Sequence, residues 1–318
     1  MDNINKFSNI KYITKYRYLN HMSLKSQLRK RQLWLKINKK RFSYLENYNN
    51  NNINIKNNSY NNQDLNLFFE IINNLKGDFE NNKKILLELI IKIIINSPNL
   101  DDNFLNYFEK IYQQLNLNEK TFIFNEITYY EIENIKILHL FIQYVKDNIF
   151  SNSYYGLMIF NRYFKKFYND KIYFFIFSTE KDFLIIMLNS LNNVSIQLQY
   201  IIWSFIFNIL SYYNNTNIKI ILSFFFEINN IQILFNNIKN NLIQENLILL
   251  SISFIVMIKL FESYYDEHKG IFNNNLLDLI DYQKKILNEN KNKLSLKSKK
   301  LEEFCDKLIN IFNKINNK

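Results

Sequence analysis

Glycine and proline are almost missing from this chain of 318 residues, which contains 3 Gly and 1 Pro. Sheets joined by tight turns depend on these two residues for their special backbone angles. Hydrophobic residues make up 47% of the sequence, so enough apolar surface is present for a large core. The sequence therefore predicts an all-α fold, in which helices are joined by short polar turns.

Apolar runs alternate with Asn-rich breaks from residue 64 to residue 318. They occur in pairs, the clearest of which begin near residues 64, 180, 229 and 273. In each pair a moderately amphipathic segment precedes a longer segment that is apolar nearly all round, as a helix buried between neighbours should be. Such a pair must stack on its neighbours to cover its buried helix.

The spacing of corresponding residues favours a repeat protein. Phe183 corresponds to Ile233 at a spacing of 50, and Gln197 corresponds to Gln244 at a spacing of 47. Six units would fit between residues 64 and 318, and repeats of the armadillo and HEAT classes are about 40–47 residues long. We expect an armadillo-like right-handed superhelix of about six helical repeats, with an irregular helical bundle as the alternative.

The charge of the chain is concentrated at one end. Twelve of the 40 basic residues and only one of the 29 acidic residues lie in residues 1–45, which leaves 28 of each sign in the remainder. Residues 49–63 are Asn-rich and nearly free of charge, a composition typical of a linker. The sequence thus predicts a basic arm at 1–48, a linker at 49–63 and a repeat domain at 64–318.

The residues that enzyme sites require are sparse. Cys305 is the single cysteine, and the three histidines have no metal-ligand partners at useful spacing: His21, His139 and His268. Three glycines cannot form a phosphate-binding loop. We therefore expect no catalytic site, no metal, no cofactor and no small-molecule substrate.

The longest apolar run extends from Leu247 to Ile258 and is followed by Lys259. A membrane-spanning helix needs about 20 apolar residues, which is longer than this run. The run is interpreted as a buried helix, and no membrane insertion is expected.

The arm resembles the importin-β-binding segment of the importin-α family, whose members are armadillo adaptors for nuclear import. It carries two basic clusters within one leucine-containing segment: Arg29, Lys30 and Arg31, then Lys36, Lys39, Lys40 and Arg41. The order of arm, polar linker and repeats is also that of the family. The resemblance implies that these residues bind an importin-β-type carrier, and that the arm occupies its own groove when no carrier is present.

A second stretch, residues 194–224, is similar to the importin-α repeat, in which a Trp and an Asn line the concave face. Trp203 and Asn208 stand at these positions, and Asn161 aligns with Asn208 at a spacing of 47. The resemblance implies that Trp203, Asn208 and Asn161 bind extended basic peptides. The alternative is that Trp203 belongs to the core and Asn208 to a helix end.

Together these features predict a nuclear import adaptor of cytoplasm and nucleus, with a carrier and proteins bearing basic localisation signals as partners. Two alternatives stay open. Residues 3–45 contain no acid, which is also typical of a mitochondrial or plastid presequence and would make the chain an organellar α-solenoid that binds RNA or ribosomes. The second alternative is a generic armadillo scaffold for protein interactions. For the arm itself, a generic basic tail that binds nucleic acid or anionic membrane is a further alternative.

Overall fold

A computed structural model describes residues 60–74, 79–96, 100–132, 134–212, 217–268 and 274–316. These residues form helices and the turns between them, and no strand occurs among them. The all-α prediction is confirmed. The chain divides into two compact units, residues 1–60 and 61–318, and the described helices lie in the second apart from Tyr60, the first residue of the first helix. The basic arm lies outside the described residues, together with its clusters at 29–31 and 36–41.

Fourteen α-helices follow one another in the described part of the chain. Their bounds are Tyr60–Asn74 (α1), Phe79–Asn96 (α2), Asp102–Gln114 (α3), Leu117–Ile127 (α4), Ile135–Phe150 (α5), Tyr155–Phe167 (α6), Asp170–Phe174 (α7), Lys181–Ser190 (α8), Ile196–Ile209 (α9), Ile218–Phe225 (α10), Ile228–Ile243 (α11), Leu247–His268 (α12), Asn274–Lys297 (α13) and Lys299–Asn316 (α14). A π-helical segment, Phe175–Thr179, joins α7 to α8.

Each of the four clearest helix pairs in the sequence is helical in the structure: α1 with α2, α8 with α9, α11 with α12, and α13 with α14. Helix α1 begins at Tyr60, so residues 60–63 of the composition-based linker form its first turn. Phe68 is fully buried further along this helix. Burial of such an apolar face stabilises a polar first turn that would be marginally stable in isolation.

Asparagine and aspartate side chains cap the first turns of several helices. Asn116 Oδ1 accepts the amide of Glu119 at 3.1 Å, and the Glu119 carboxylate accepts the amide of Asn116 at 2.9 Å, which is a capping box. Asp101 caps α3 by accepting a hydrogen bond from the amide of Asn103 at 3.0 Å. The Asn-rich breaks therefore supply helix starts as well as turns.

Helix packing follows two rows. In the first row α2 contacts α4, α4 contacts α6, α6 contacts α9, α9 contacts α12, and α12 contacts α14. In the second row α5 contacts α8, α8 contacts α11, and α11 contacts α13. The rows are joined where α5 packs on α4 and α6, α11 on α12, and α13 on α14. The core fills the space between the rows with aromatic rings such as Phe124 and Phe141, which stack at 4.6 Å.

Helix α12 is longer than its apolar run predicted, because the helix continues through charged residues to His268. Leu247–Glu267 is long and apolar enough to cross a membrane, with a mean hydropathy of 1.9, and 56% of it is buried. The bent pair of α10 and α11 passes the same test only when the two helices are taken together. Packing of α12 against α9, α10, α11 and α14 accounts for its apolar composition.

Candidate peptide-binding face

Trp203 does not line a groove, which corrects the prediction from the family resemblance. Its side chain is 0% exposed, and its Nε1 donates a hydrogen bond to Asn237 Oδ1 of α11 at 3.0 Å. Helix α9 packs against helices on more than one side and is apolar nearly all round, so its sequence pattern could not assign Trp203 to an inner or an outer side. Trp203 belongs to the core.

The partner of Trp203, Asn237, is the centre of a buried amide network. Its Nδ2 donates to Leu191 O at 3.1 Å, Asn192 Oδ1 at 3.0 Å and Gln199 Oε1 at 3.2 Å. Asn241 donates to Asn237 Oδ1 at 2.9 Å. The network ties α11 to α9 and to the turn after α8, so its role is to join successive helix pairs.

Asn161 and Asn208, in contrast, meet at the surface. Asn208 Nδ2 of α9 donates to Asn161 Oδ1 of α6 at 2.7 Å, and both residues are half-buried. An amide side chain carries one acceptor oxygen and one donor nitrogen. Asn161 Nδ2 and Asn208 Oδ1 take no part in this bond, so the pair offers a donor and an acceptor side by side, as the backbone of an extended peptide requires.

The amide pair lies within a larger surface that we call the ladder face. It consists of exposed or half-buried side chains on one side of α6, α9 and α12, together with Ser211 just after the end of α9: Met158, Asn161, Arg162, Lys165, Tyr200, Ser204, Asn208, Ser211, Ile255 and Lys259. Within each helix these residues recur at intervals of three and four, so they share one side. The bonds of Asn161 to Asn208 and of Lys259 to Ser211 join the three helices edge to edge.

Lys259 is the most unusual residue of the ladder face. Its Nζ donates to Ser211 Oγ at 2.9 Å and lies 5.1 Å from the centre of the Phe207 ring. Burial lowers the pKa of this amine, because it removes water from the ammonium ion. No acidic side chain among the described residues forms an ion pair with Lys259, although eleven other lysines in that part of the chain are paired.

Arg162 is held at the opposite edge of the face. One of its terminal nitrogens donates to Asn125 Oδ1 at 2.9 Å and to Thr128 Oγ1 at 3.3 Å, and the guanidinium lies 5.3 Å from the Tyr129 ring centre. These contacts are all uncharged, and no acid in the described ranges forms an ion pair with Arg162. Lys165, one turn further along α6, is exposed and pairs with no acid in the described ranges.

Between these cations the ladder face carries no charge. Residues 183–218, which include the whole of α9, contain no Asp, Glu, Lys or Arg. Tyr200 of α9 is 42% exposed, and Tyr155 at the start of α6 is 51% exposed. The face thus combines amides, aromatic rings and cations. The first acidic residue of α12 is Glu262, which pairs with Lys307.

A second charged cluster lies in the other row and was missed from the sequence. Glu180 is buried beside α8 and contacts His139 Nδ1 of α5. It also accepts a hydrogen bond from Lys146 Nζ of α5 at 3.0 Å, and Asp182 accepts one from the same amine at 2.6 Å. Hydrogen bonds to Asp182 and Glu180 outweigh the opposing effect of burial and raise the pKa of Lys146. These groups lie 34 to 41 residues apart in sequence, so no local motif signals them.

The cluster is closed rather than poised for chemistry, because each Glu180 oxygen already has a partner. In the ranges that the structure describes, no group of three His, Cys, Asp or Glu residues is placed to hold a metal ion. The predicted carrier-binding residues of the arm lie outside those ranges.

Comparison with known proteins gives no relative. No protein-family model matches the chain, no curated protein matches it, and no solved structure matches it.

Proposed function

We propose that the chain is an armadillo-like right-handed superhelix of about six helical repeats and that it works as a transport adaptor. In this proposal the ladder face binds an extended peptide of a cargo protein, and the basic arm binds an importin-β-type carrier in the cytoplasm for passage into the nucleus. The repeat domain holds no catalytic site and acts by recognition alone.

The repeat part of the proposal is supported by contacts that recur at nearly constant spacing. Asn161 pairs with Asn208 and Asp170 with Asn217 at 47 residues, while Lys181 pairs with Glu227 at 46 and Ser211 with Lys259 at 48. The helix triplets α7–α9 and α10–α12 also correspond, each with a short, a medium and a long helix in turn. Repeats of about 40–47 residues with two or three helices are typical of the HEAT and armadillo classes.

The recognition part rests on one observation, the amide pair of Asn161 and Asn208 on the surface of the first row. Stacked repeats present extended surfaces to their ligands. Amides that repeat along such a surface can replace the hydrogen bonds that a peptide backbone makes with water. Trp203 has no place in this version of the groove, because its ring is enclosed.

The carrier part rests on the resemblance of residues 29–31 and 35–41 to the importin-β-binding segment. Basic localisation signals are the cargo that the same resemblance implies. Arg162, Lys165 and Lys259 oppose a basic peptide on the ladder face, so a basic cargo would have to bind elsewhere along the rows.

Those same cations favour a second candidate function. Cations interleaved with exposed aromatic rings are typical of surfaces that bind single-stranded nucleic acid. Tyr168 and Tyr212 stack at 4.6 Å beyond the ends of α6 and α9, and Tyr168 lies three residues after Lys165. An organellar α-solenoid that binds RNA after loss of its presequence would use this surface.

The test of the adaptor function is a titration of an importin-β-type carrier against the full chain and against a chain that begins at Asn49. We expect tight binding to the full chain only, weakened by salt because the contact is ionic. A triple variant, Arg29→Ala with Lys30→Ala and Arg31→Ala, should lose binding. Its matched control, Lys6→Ala with Lys11→Ala and Lys15→Ala, removes the same charge and should keep it.

Equal binding by both triple variants would mean that only net charge matters, and absence of binding to the full chain would overturn the adaptor function. Removal of about the first 45 residues inside cells would then favour the organellar alternative.

A further inference from the structure

We propose that the ladder face selects an acidic peptide: the peptide backbone lies over the Asn161–Asn208 pair, and a carboxylate side chain binds Lys259. This inference rests on the peptide-binding function proposed above and adds the chemical class of the ligand. It departs from the basic cargo that the family resemblance implies.

The first argument is the unmatched charge of Lys259. An ammonium group has three N–H donors, and Lys259 uses one of them on Ser211 Oγ. The Phe207 ring fixes the position of the amine without neutralising it. A half-buried cation without an acid partner is costly, and a ligand carboxylate would offset that cost by forming a charge-assisted hydrogen bond.

A comparison within the chain shows what a matched lysine looks like. Lys146 is more deeply buried than Lys259, but Glu180 and Asp182 both bind it and raise its pKa. The pKa of Lys259 is lowered instead, because burial acts there alone. The missing partner of Lys259 is therefore an anion that the described residues do not supply.

The second argument is geometric. Asn208 lies in the last turn of α9, and Ser211 follows just after the end of that helix, where it accepts a hydrogen bond from Lys259 of α12. Packed helix axes are about 8–10 Å apart. An extended chain advances about 3.3 Å per residue, so about three residues separate the backbone contact at the amide pair from the carboxylate at Lys259.

The third argument is the sign of the whole face. Arg162 and Lys165 lie at one edge and Lys259 at the other, with the uncharged α9 between them. A peptide rich in Lys or Arg would meet repulsion at both edges. The same repulsion disfavours occupation of this face by the chain's own basic arm, which the family resemblance predicts in the absence of a carrier.

Peptide is favoured over nucleic acid because the centre of the face is neutral. Phosphate backbones need a continuous basic groove, whereas α9 offers amides, hydroxyls and aromatic rings. The unpaired amide atoms of Asn161 and Asn208 suit a peptide group, which presents one donor and one acceptor per residue.

The experiment is a selection of random ten-residue displayed peptides on the immobilised full chain, followed by fluorescence-anisotropy titration of the enriched peptides. We expect enrichment of Asp and Glu. Lys259→Met, which keeps the apolar stem, should weaken binding about tenfold, the loss of one charge-assisted hydrogen bond. Asn208→Ala gives an independent variant, and circular dichroism checks that each variant folds.

Two matched controls separate the face from other cations. Lys285→Met, at an exposed position of α13 in the other row, should leave affinity unchanged. The triple alanine variant at 29–31 should also leave it unchanged, which excludes capture of acidic peptides by the basic arm. Affinity that falls with the arm variant and not with Lys259→Met would overturn the inference.

The remaining outcomes distinguish failure of the inference from failure of the proposed function. Enrichment of basic peptides would leave peptide recognition standing and refute acidic selectivity. No enrichment of any peptide would refute both peptide recognition and acidic selectivity. Both would also be refuted if no peptide bound and a labelled oligouridylate bound the chain and lost affinity on Lys259→Met.

Discussion

Glu180 shows how a single residue can carry a large share of local stability in this chain. Its side chain is 4% exposed, and it lies against Lys146, whose side chain is 7% exposed. Removing one partner of a buried ion pair leaves the other charge without compensation, which typically costs about 3–5 kcal/mol. Asp182 stays as a second partner for Lys146, but it is mostly exposed and therefore compensates less.

Glu180→Gln keeps the shape of the side chain and removes its charge. We expect a loss of about 3 kcal/mol in the free energy of unfolding, measured by urea denaturation. The matched control is Glu227→Gln in the ion pair with Lys181, both about half exposed, which should cost less than about 1 kcal/mol. Similar losses in the two variants would refute the assignment of Lys146 and Glu180 as a buried pair.

Residues that act locally could be predicted from the sequence, and residues that act across the fold could not. The run from Leu247 to Ile258 was predicted to be a buried helix from its local apolar pattern, and Leu249, Leu250 and Phe254 within it are fully buried. Trp203 was misassigned because a helix that is apolar nearly all round gives no signal for the side on which one residue lies. His139 was left without a partner because Glu180 is 41 residues away.

At the scale of elements, the contact of α5 with α6 depends on a glycine. A Cβ atom at Gly156 would lie 2.8 Å from Asn148 Cβ, which is closer than real Cβ contacts permit. Asn148 is buried and donates from Nδ2 to Tyr144 O at 2.9 Å, so it has little room to move. Gly156 therefore allows the start of α6 to approach α5.

Gly156→Ala should destabilise the protein by about 1–3 kcal/mol, the usual cost of overpacking a close contact. The sign of the change in the free energy of unfolding is informative, because Ala in place of Gly inside a helix normally stabilises a protein by about 0.5–1 kcal/mol. Ser204→Ala, a half-buried position of α9, serves as the control and should change stability by less than about 0.5 kcal/mol. A stabilising Gly156→Ala would show that α5 and α6 are further apart than described.

Long helices with strong apolar character were predictable, whereas short ones were not. Helices α8, α9, α11 and α12 fall on predicted pairs because their apolar residues recur with a clear pattern between Asn-rich breaks. The short α7, the π-helical Phe175–Thr179 and the eight-residue α10 were not separated from their neighbours. Helix α10 is as apolar as the helices that flank it, so the breaks on either side of it depend on packing.

At the scale of the whole molecule, the function depends on register between successive helix pairs. The ladder face exists only if α6 and α9 lie side by side with Asn161 opposite Asn208. The sequence suggested this alignment from a spacing of 47 residues, but it could not show that the two side chains face solvent. The sequence also could not predict the charge of the face, because Arg162 and Lys259 lie 97 positions apart in sequence.

Cross-linking tests this register most directly, and the chain offers a clean background for it. Cys305 is buried, and burial raises the pKa of its thiol to about 12, so it reacts poorly with maleimides. We would introduce Asn161→Cys with Asn208→Cys, treat the full chain with a short bismaleimide, and locate the intramolecular link by mass spectrometry. The control pair is Asn161→Cys with Ser251→Cys, which places the second thiol on α12, two helices away in the row. The account predicts rapid intramolecular cross-linking of the first pair and none of the second. Equal reaction of both pairs, or reaction of the second pair alone, would contradict the row of α6, α9 and α12 on which the ladder face depends.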